Sequence, residues 1–415
     1  MSISKLNLSL NPLELFLRIP AEIHGLAFLI SDGSFDARWS MLAWNPKRTI
    51  HEIPEMGDCT SNSSDLPFQG GFIGSIDYEY GYELLDLQAP TPTTPITFSE
   101  YDHALLFDHH QSQWHLVGGS EKEVLSWTTR EPHFETQKLS LEPTWTKETY
   151  LEKFSILKKS ITEGEIYQGC LTFPFTGKAV NDTRSLFAQL TETNPSSMGM
   201  YLEQPFDSAQ DRPGRTILSL SPERFLLWDG KSLETKPIKG TRPRGKTEAE
   251  SLQHELELLS DAKETAELSM VTDLLRNDLA KVCKPGTVKV LEQQAIQICP
   301  KVIHTYSHIR GETMEQTKVK DIIQATFPGG SITGCPKRKA MEILAKLETA
   351  DRGIYTGCLG YLSTHGRMDL NIAIRTLVQQ GDTVTASFGG GIVADSVGER
   401  EYEECFTKAA TFHTS

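Results

Sequence analysis

Residues 237–245 read Pro-Ile-Lys-Gly-Thr-Arg-Pro-Arg-Gly, three cations and a hydroxyl set among two prolines and two glycines. That composition predicts a fixed turn, resistant to both helix and strand. Proline restricts the residue before it and glycine lets the backbone come close, so the turn would hold Lys239 in one place. A charged turn is most often simply solvated. Here, though, the rest of the chain supplies acids, a histidine and glycine-rich turns that suit the same small anion. Glu264 and Glu267 are three residues apart, as are Glu401 and Glu404. On a helix that spacing puts each pair on one side, one turn apart. Glu267 comes one turn before Val271 and adjoins an apolar stripe of Val271, Leu274 and Leu275. Lys408 extends the line of Glu401 and Glu404, beside Tyr402, Phe406 and Ala409. Carboxylates bordering a buried face are costly unless something neutralises them. Oxygens from two helices suit magnesium, a hard ion that keeps several waters. Two plainer assignments stay open at this point: Glu264 as a capping-box residue, and Glu401, Glu403 and Glu404 as an exposed acidic helix.

The elements that must carry these residues follow from pattern. Over residues 1–60, short apolar runs broken by turn signals, such as Leu-Ala-Phe-Leu-Ile at 26–30, predict strands. Gln-Gly-Gly-Phe-Ile-Gly at 69–74 follows a serine-rich turn. It lacks the lysine of a phosphate-binding loop and the full dinucleotide fingerprint, and is expected to be a close-packed turn. Residues 89–95 predict a stiff extended connector, and residues 101–107 with 114–117 a hairpin. The polar stretch 118–144 reads as the link between an N-terminal third and the rest. After Thr146 the helical spacing of Tyr150, Phe154, Leu157 and Ile161 runs to a stop at Gly164. A strand is expected from there through Phe175. Residues 205–215 read as a surface insertion, and 217–220 and 224–228 as strands leading toward Lys239. Thr247-x-x-Glu250 and Asp261-x-x-Glu264 both fit capping boxes that open helices. The last third alternates strands with glycine turns and closes in a helix over about 399–412. No repeat at solenoid spacing is present.

Composition sets the bounds. A chain of 415 residues suffices for one large domain or two ordinary ones. Its 38% hydrophobic and 23% charged residues are those of a globular protein. No apolar run approaches the ~20 residues of a membrane helix. Residues 1–17 lack the basic flank and apolar core of a signal peptide, so no membrane association is expected. A net charge of −14 argues against nucleic acid as a partner. Seven scattered cysteines, with Cys335 and Cys358 outside any metal-type pair, fit a reducing, cytoplasmic setting.

Taken together, several stretches of residues 146–412 resemble the chorismate-binding domain shared by anthranilate, aminodeoxychorismate, isochorismate and salicylate synthases. They are Gly-Glu-Ile-Tyr-Gln at 164–168, Ser-Pro-Glu-Arg-Phe at 221–225, residues 237–245 and residues 264–278. Further along come Phe-Pro-Gly-Gly-Ser-Ile-Thr-Gly-Cys-Pro-Lys at 327–337, residues 369–376 and Gly-Gly-Gly-Ile-Val-Ala-Asp-Ser at 389–396. Residues 1–140 look like the family's more variable N-terminal region. The sequence departs from the family pattern at Gly169-Cys170, at Phe173-Pro174-Phe175 and at 205–215. The resemblance implies an α/β (α+β) fold in which two large antiparallel sheets pack face to face with helices outside. The regions 1–140 and 146–412 would interleave in one unit.

Within the family, anthranilate synthases carry alanine where Lys239 stands and aminodeoxychorismate synthases carry lysine. Gln168 stands where isochorismate and salicylate synthases carry a water-activating lysine. The resemblance is therefore to component I of the aminodeoxychorismate branch. It implies that Lys239 attacks chorismate as a nucleophile, a role for which Arg242 and a dry pocket would favour the neutral amine. Glu223 would protonate the departing hydroxyl, and His304 would lie near the reacting ring. Glu264, Glu267, Glu401 and Glu404 would hold magnesium against the ring carboxylate. Arg375, with Tyr355 nearby, would clamp the other carboxylate, and Lys408 would balance the metal side. Ser331, Thr333, Gly334, Gly390 and Gly391 would cradle carboxylate oxygens, with Thr241 and Gln168 completing the pocket. Ammonia would come from a separate glutamine amidotransferase subunit. The nearest alternative is anthranilate synthase component I; a non-catalytic chorismate or tryptophan sensor is another, though binding alone needs neither a nucleophile nor an acid.

Overall fold

The computed structural model describes residues 2–34, 37–55, 65–91, 95–204, 214–299 and 301–414. The serine-rich turn, the middle of the 89–95 connector and nearly all of the 205–215 insertion lie outside these residues. Two antiparallel sheets dominate, of twelve and ten strands among the described residues. The first sheet sets Ala27–Ile30 beside Met198–Gln204, and the second sets Gly71–Ile76 beside Cys358–Ser363. Strands from the first 120 residues and from the remainder thus share both sheets.

Apolar side chains from the two inner faces meet in one cluster. It includes Met41, Leu106 and Ile217 of the first sheet and Ile73, Leu359 and Tyr361 of the second. The outer face of the first sheet is covered by helices that bring Phe16, Trp127, Tyr150, Phe154 and Leu157. That of the second is covered by Val271, Leu275, Leu279, Ile322 and Ile323. Helix, sheet, sheet and helix form four layers, and the apolar periodicities match: helices bury one stripe, the strands both faces. The helix Lys147–Thr162 buries Tyr150, Phe154, Leu157 and Ile161, starts at the Thr146 cap and gives way to Gly164 at φ +78°. Among the described residues, no helix is long and apolar enough to cross a membrane.

Four local expectations change. Gly71–Ile76 is a fully buried strand, not a turn. Glycine lowers strand propensity, but here it permits packing, since a methyl group at Gly74 would lie 2.1 Å from the Thr97 carbonyl. Ile238–Pro243 is likewise a strand, paired to Val302–Glu312. A bulge between Lys239 and Thr241, with Gly240 at φ +61°, lets the chain keep pairing through that turn-rich composition. The 118–144 link contains the helix Glu121–Thr128, which buries Val124 and Trp127. In the C-terminal helix Gly398–Ala409 the buried side runs through Glu401, Cys405 and Ala409, whereas Phe406 is exposed.

Behind the sheets lies a buried ion pair. Arg352 Nη2 is 2.7 Å from Glu348, and the side chains are 2% and 8% exposed. Removing one partner of such a pair leaves an uncompensated buried charge and costs about 3–5 kcal/mol. Arg352→Met is expected to lower stability by about that amount, and the double variant Glu348→Gln/Arg352→Met to recover part of it. Urea unfolding of the three proteins measures both; equal losses in single and double variants would place the effect elsewhere.

Candidate active site

A cavity of about 560 Å³ opens where the chain passes between the two sheets. Glu223 lies in the short corner between Arg215–Ser221 of the first sheet and Arg224–Trp228 of the second. Arg375 lies in the neighbouring crossover, between Met368–Ile372 and Thr376–Gln380. The two corners are tied together. Ile372 N–H donates to the Glu223 carbonyl at 3.0 Å and Leu220 N–H to the Arg375 carbonyl at 2.9 Å. Arg375 holds φ +49°, an unusual backbone for a bulky residue. Its guanidinium lines the cavity with no carboxylate partner among the described residues. Burial holds its pKa below the ordinary arginine value. A desolvated, unpaired cation of this kind suits an anionic ligand.

The Lys239 strand forms one wall. Glu223, Lys239, Thr241, His304, Ser331, Tyr355, Arg375, Gly390, Gly391 and Lys408 all face this cavity, together with the four glutamates. Glu223 is 5% exposed, and burial pushes its carboxyl up to about 7, against Lys239, the Ser331 hydroxyl and the Ile238 amide, which favour the anion. Ser331 donates to Glu223 at 3.3 Å, so its hydroxyl is engaged by the acid. His304 is 1% exposed; burial, then Arg375, lower its pKa to about 4. Its Nδ1 is 2.9 Å from the Thr241 hydroxyl, and its Nε2 is buried without a partner. Arg242 is paired with Asp261 at 3.4 Å and Glu264 at 3.9 Å.

Gln168, Thr333 and Gly334 stand behind this lining. The Thr333 hydroxyl donates to the Gly329 carbonyl at 2.9 Å, and Gly334 pairs with Gly169. Gln168 Nε2 is buried without a partner, where a methyl group at Gly391 would approach it to 2.8 Å. Several lining residues carried no role in the sequence reading, among them Lys263, Phe388, Thr407, Thr411 and, from the strand Gln168–Lys178, Cys170. The only signal at Cys170 was the departure from the family pattern.

The four glutamates come from two helices. Asp261 caps the first, Ala262–Ala280, by accepting from the amides of Lys263 and Glu264, so the Glu264 carboxylate extends into the cavity. Glycine lets the second approach, because a methyl group at Gly390 would lie 3.1 Å from Glu401 Oε2 and 4.0 Å from Lys408 Nζ. Each acid has its own surroundings. Glu264 is 3.9 Å from Arg242, Glu267 3.7 Å from Lys263 and Glu404 2.8 Å from Lys408, while Glu401 is buried. Among the described residues no three such ligands converge closely enough to hold a metal ion. The donor chemistry nonetheless fits magnesium: burial raises the Glu267 carboxyl, opposed by Lys239 and Lys263 and reinforced by Glu264 and Glu401. A hard dication would relieve that crowding of like charge. A separate cavity of about 260 Å³ between the sheets, lined by Leu29, Trp39 and Met200, holds none of these residues.

The raised Glu223 carboxyl has a consequence for folding. Its contribution to stability is whole below about 4.5 and is lost as pH rises through about 7, because over that window the folded chain keeps a proton the unfolded chain has released. Glu223→Gln should flatten the fall in stability across that window, measured by urea midpoints. Glu79 is also buried and raised to about 7, so Glu79→Gln serves as the parallel variant. An unaltered slope in Glu223→Gln would assign the titration to Glu79.

Similarity to known proteins agrees with this geometry. The chain matches the chorismate binding enzyme family over residues 31–414. Aminodeoxychorismate synthase component 1 of Escherichia coli (strain K12) is 37% identical over 380 residues, 88% of this chain and 81% of that one. Anthranilate synthase component 1 of Methanothermobacter thermautotrophicus is 33% identical over 431 residues, 96% of this chain and 90% of that one. The crystal structure of anthranilate synthase component I from Streptococcus pneumoniae TIGR4 superposes with a TM-score of 0.77 at 25% identity, over 97% of each chain. Sequence, fold and the residues gathered at the sheet crossover lead to one assignment: the chain belongs to the chorismate-binding enzyme family.

Proposed function

We propose that this chain is the chorismate-aminating component of an aminodeoxychorismate synthase, serving para-aminobenzoate and folate formation in the cytoplasm. The observation that carries the reading is Lys239 sharing one cavity with the protonatable Glu223 and the unpaired Arg375. A hydroxyl is a poor leaving group, and two displacements through an enzyme amine replace one difficult step. The Lys239 amine bonds to ring carbon 2, both ring double bonds shift by one position away from it, and the carbon 4 hydroxyl departs as water with a proton from Glu223, which the attacking nitrogen's lost proton restores. Ammonia then bonds to carbon 4, both double bonds return, and Lys239 leaves as the amine, taking up the proton that ammonia gives up. Arg375 anchors a carboxylate through a two-pronged pair, while the edge of Gly390 and Gly391 meets substrate oxygens closely. Glu264, Glu267, Glu401 and Glu404 would hold magnesium, which when bound supplies charge for the ring carboxylate. The described cysteines are unpaired, as a reducing compartment requires.

The relatives include both aminodeoxychorismate and anthranilate synthases, so product identity decides. Mass-resolved analysis of chorismate, ammonia and magnesium with this chain should give aminodeoxychorismate without pyruvate. Anthranilate with pyruvate would make Lys239 a bystander. In Lys239→Ala, turnover should fall by roughly three orders of magnitude. The adduct on the parent protein, heavier by chorismate less one water, should vanish. Undiminished turnover with no adduct in the parent would remove the covalent step. Glu404→Gln should raise the magnesium concentration needed for half-maximal rate at least about tenfold; unchanged magnesium affinity would withdraw Glu404 as a ligand.

A further inference from the structure

Behind the cavity lining, one ammonium gathers three backbone carbonyls. Lys158, on the helix Lys147–Thr162, donates from Nζ to the Val393 carbonyl at 3.1 Å, to the Ser396 carbonyl at 3.0 Å and to the Ala394 carbonyl. An ammonium has three donors, and all three are committed here. The acceptors belong to one turn, residues 393–396. It is closed by the Ser396 amide, which donates to the Val393 carbonyl at 3.1 Å, and by the Ser396 hydroxyl, which accepts from the Val393 amide at 3.2 Å. Carbonyl oxygens brought to one point repel one another unless a cation stands among them. Lys158 is that cation, tethered to a neighbouring helix. A lysine on a helix surface usually holds a solvated charge that does little for structure. Lys158 is instead half-buried, with its protons spent on a single turn.

The turn joins two parts of the site. Before it, the strand Thr383–Ile392 brings Gly390 and Gly391 to the cavity. After it comes the helix Gly398–Ala409, which carries Glu401, Glu404 and Lys408. The path from the ammonium to the first acid is short. Lys158 holds the Ser396 carbonyl, Val397 follows, and the Val397 carbonyl accepts from the Glu401 amide at 3.1 Å. The far end of the helix has its own tie, since Lys408 donates to the Gly389 carbonyl at 2.8 Å. Two lysines therefore pin the same strand and helix, Lys408 from within the cavity and Lys158 from behind it. Close packing backs the second pin. A methyl group at Gly398 would lie 2.7 Å from Leu151 and 3.0 Å from Phe154, so the start of the glutamate helix rests on the helix of Lys158.

We propose that Lys158 is a positioning residue for the wall that meets magnesium and substrate. By holding the turn 393–396 it fixes Glu401 relative to Gly390 and Gly391, so the ion and the substrate oxygens find their partners already in place. The magnesium role rests on the proposed function; the tie between Lys158 and the turn does not.

The test compares the parent with Lys158→Met, which keeps an unbranched side chain and loses the donors. Titration calorimetry with magnesium alone should show affinity weakened about tenfold, the smaller end of what outer partners of metal ligands cost. KM for chorismate should rise, while kcat at saturating chorismate and magnesium stays within about twofold of the parent. Hydrogen exchange at the Ser396 and Glu401 amides should quicken by about tenfold or more. Lys153→Met is the control. Lys153 stands on the same helix and donates to one carbonyl, that of Leu347 at 2.6 Å, so its loss should leave magnesium affinity unmoved. Parent-like magnesium affinity and KM in Lys158→Met would overturn the proposal. So would an equal loss in Lys153→Met, the mark of a general loosening of the helix, or a fall in kcat with affinity unchanged. If the parent binds magnesium but makes no aminodeoxychorismate, the proposed function fails, while calorimetry and exchange still decide Lys158. A parent that binds no magnesium would overturn the positioning of its ligands.

Discussion

The back wall of the cavity depends on one buried guanidinium. Arg352 donates from Nε and Nη2 to Glu348 at 2.8 and 2.7 Å. It donates from Nη2 to the Cys170 carbonyl at 2.5 Å, and from Nη1 to the Ile332 carbonyl at 3.0 Å and Thr356 at 3.2 Å. Five N–H groups thus meet five contacts, the condition under which a desolvated cation is tolerable. Glu348 in turn accepts from the amide and hydroxyl of Thr172 at 3.0 Å. The Arg352 amide donates to Glu79 at 2.9 Å, and its guanidinium lies 4.3 Å from the Tyr78 ring. One side chain therefore fixes the strand bearing Cys170, the turn bearing Ser331 and a segment of the N-terminal third. The early part of the chain thus braces a cavity whose lining residues all come later.

Close approach is the second constraint. At Gly240 a side chain would meet Leu258, Thr305 and the Glu264 carboxylate, all within 3.4 Å. At Gly390 it would meet Glu401. Pairing between Thr383–Ile392 and Thr376–Gln380 ends at Ala386, so the strand reaches Gly389–Gly391 with one edge turned to the cavity. Glycine serves two ends here: a left-handed bulge that re-aims Lys239, and open backbone against which two acidic helices close.

Much of this was legible in the sequence, and the gaps have physical causes. Helices announced themselves because caps and a 3.6-residue stripe are local: Thr247 closes the expected capping box with Glu250, while Asp261 caps by its own side chain, accepting from Lys263 and Glu264. The family stretches, in order, anticipated the paired sheets and many of the residues that meet at the cavity, though Gln168, Thr333 and Gly334 stand behind its lining. The Gly71 and Lys239 strands were hidden because their pairing is nonlocal, made by partners at 358–363 and 302–312 that override weak strand propensity. Arg352 and Glu348 gave no signal, since an Arg and a Glu four apart read as an ordinary surface helix pair. For Glu401 the sequence left two placements open, beside a buried face or in an exposed acidic run, and folding turned it inward.

Burial then sorts the two titratable groups nearest the reaction. The same desolvation that raises Glu223 to about 7 lowers His304 to about 4. Near neutral pH the imidazole is uncharged, with Nδ1 facing Thr241, and holds no spare proton to release at low cost. Glu223 is raised by burial while Lys239 beside it favours the anion. Under the proposed function Glu223 is the group with a proton to give, and His304 offers a neutral imidazole whose buried Nε2 has no partner among the described residues. The assignment follows from where the two sheets exchange strands: the corner that buries Glu223 also sets it beside Lys239.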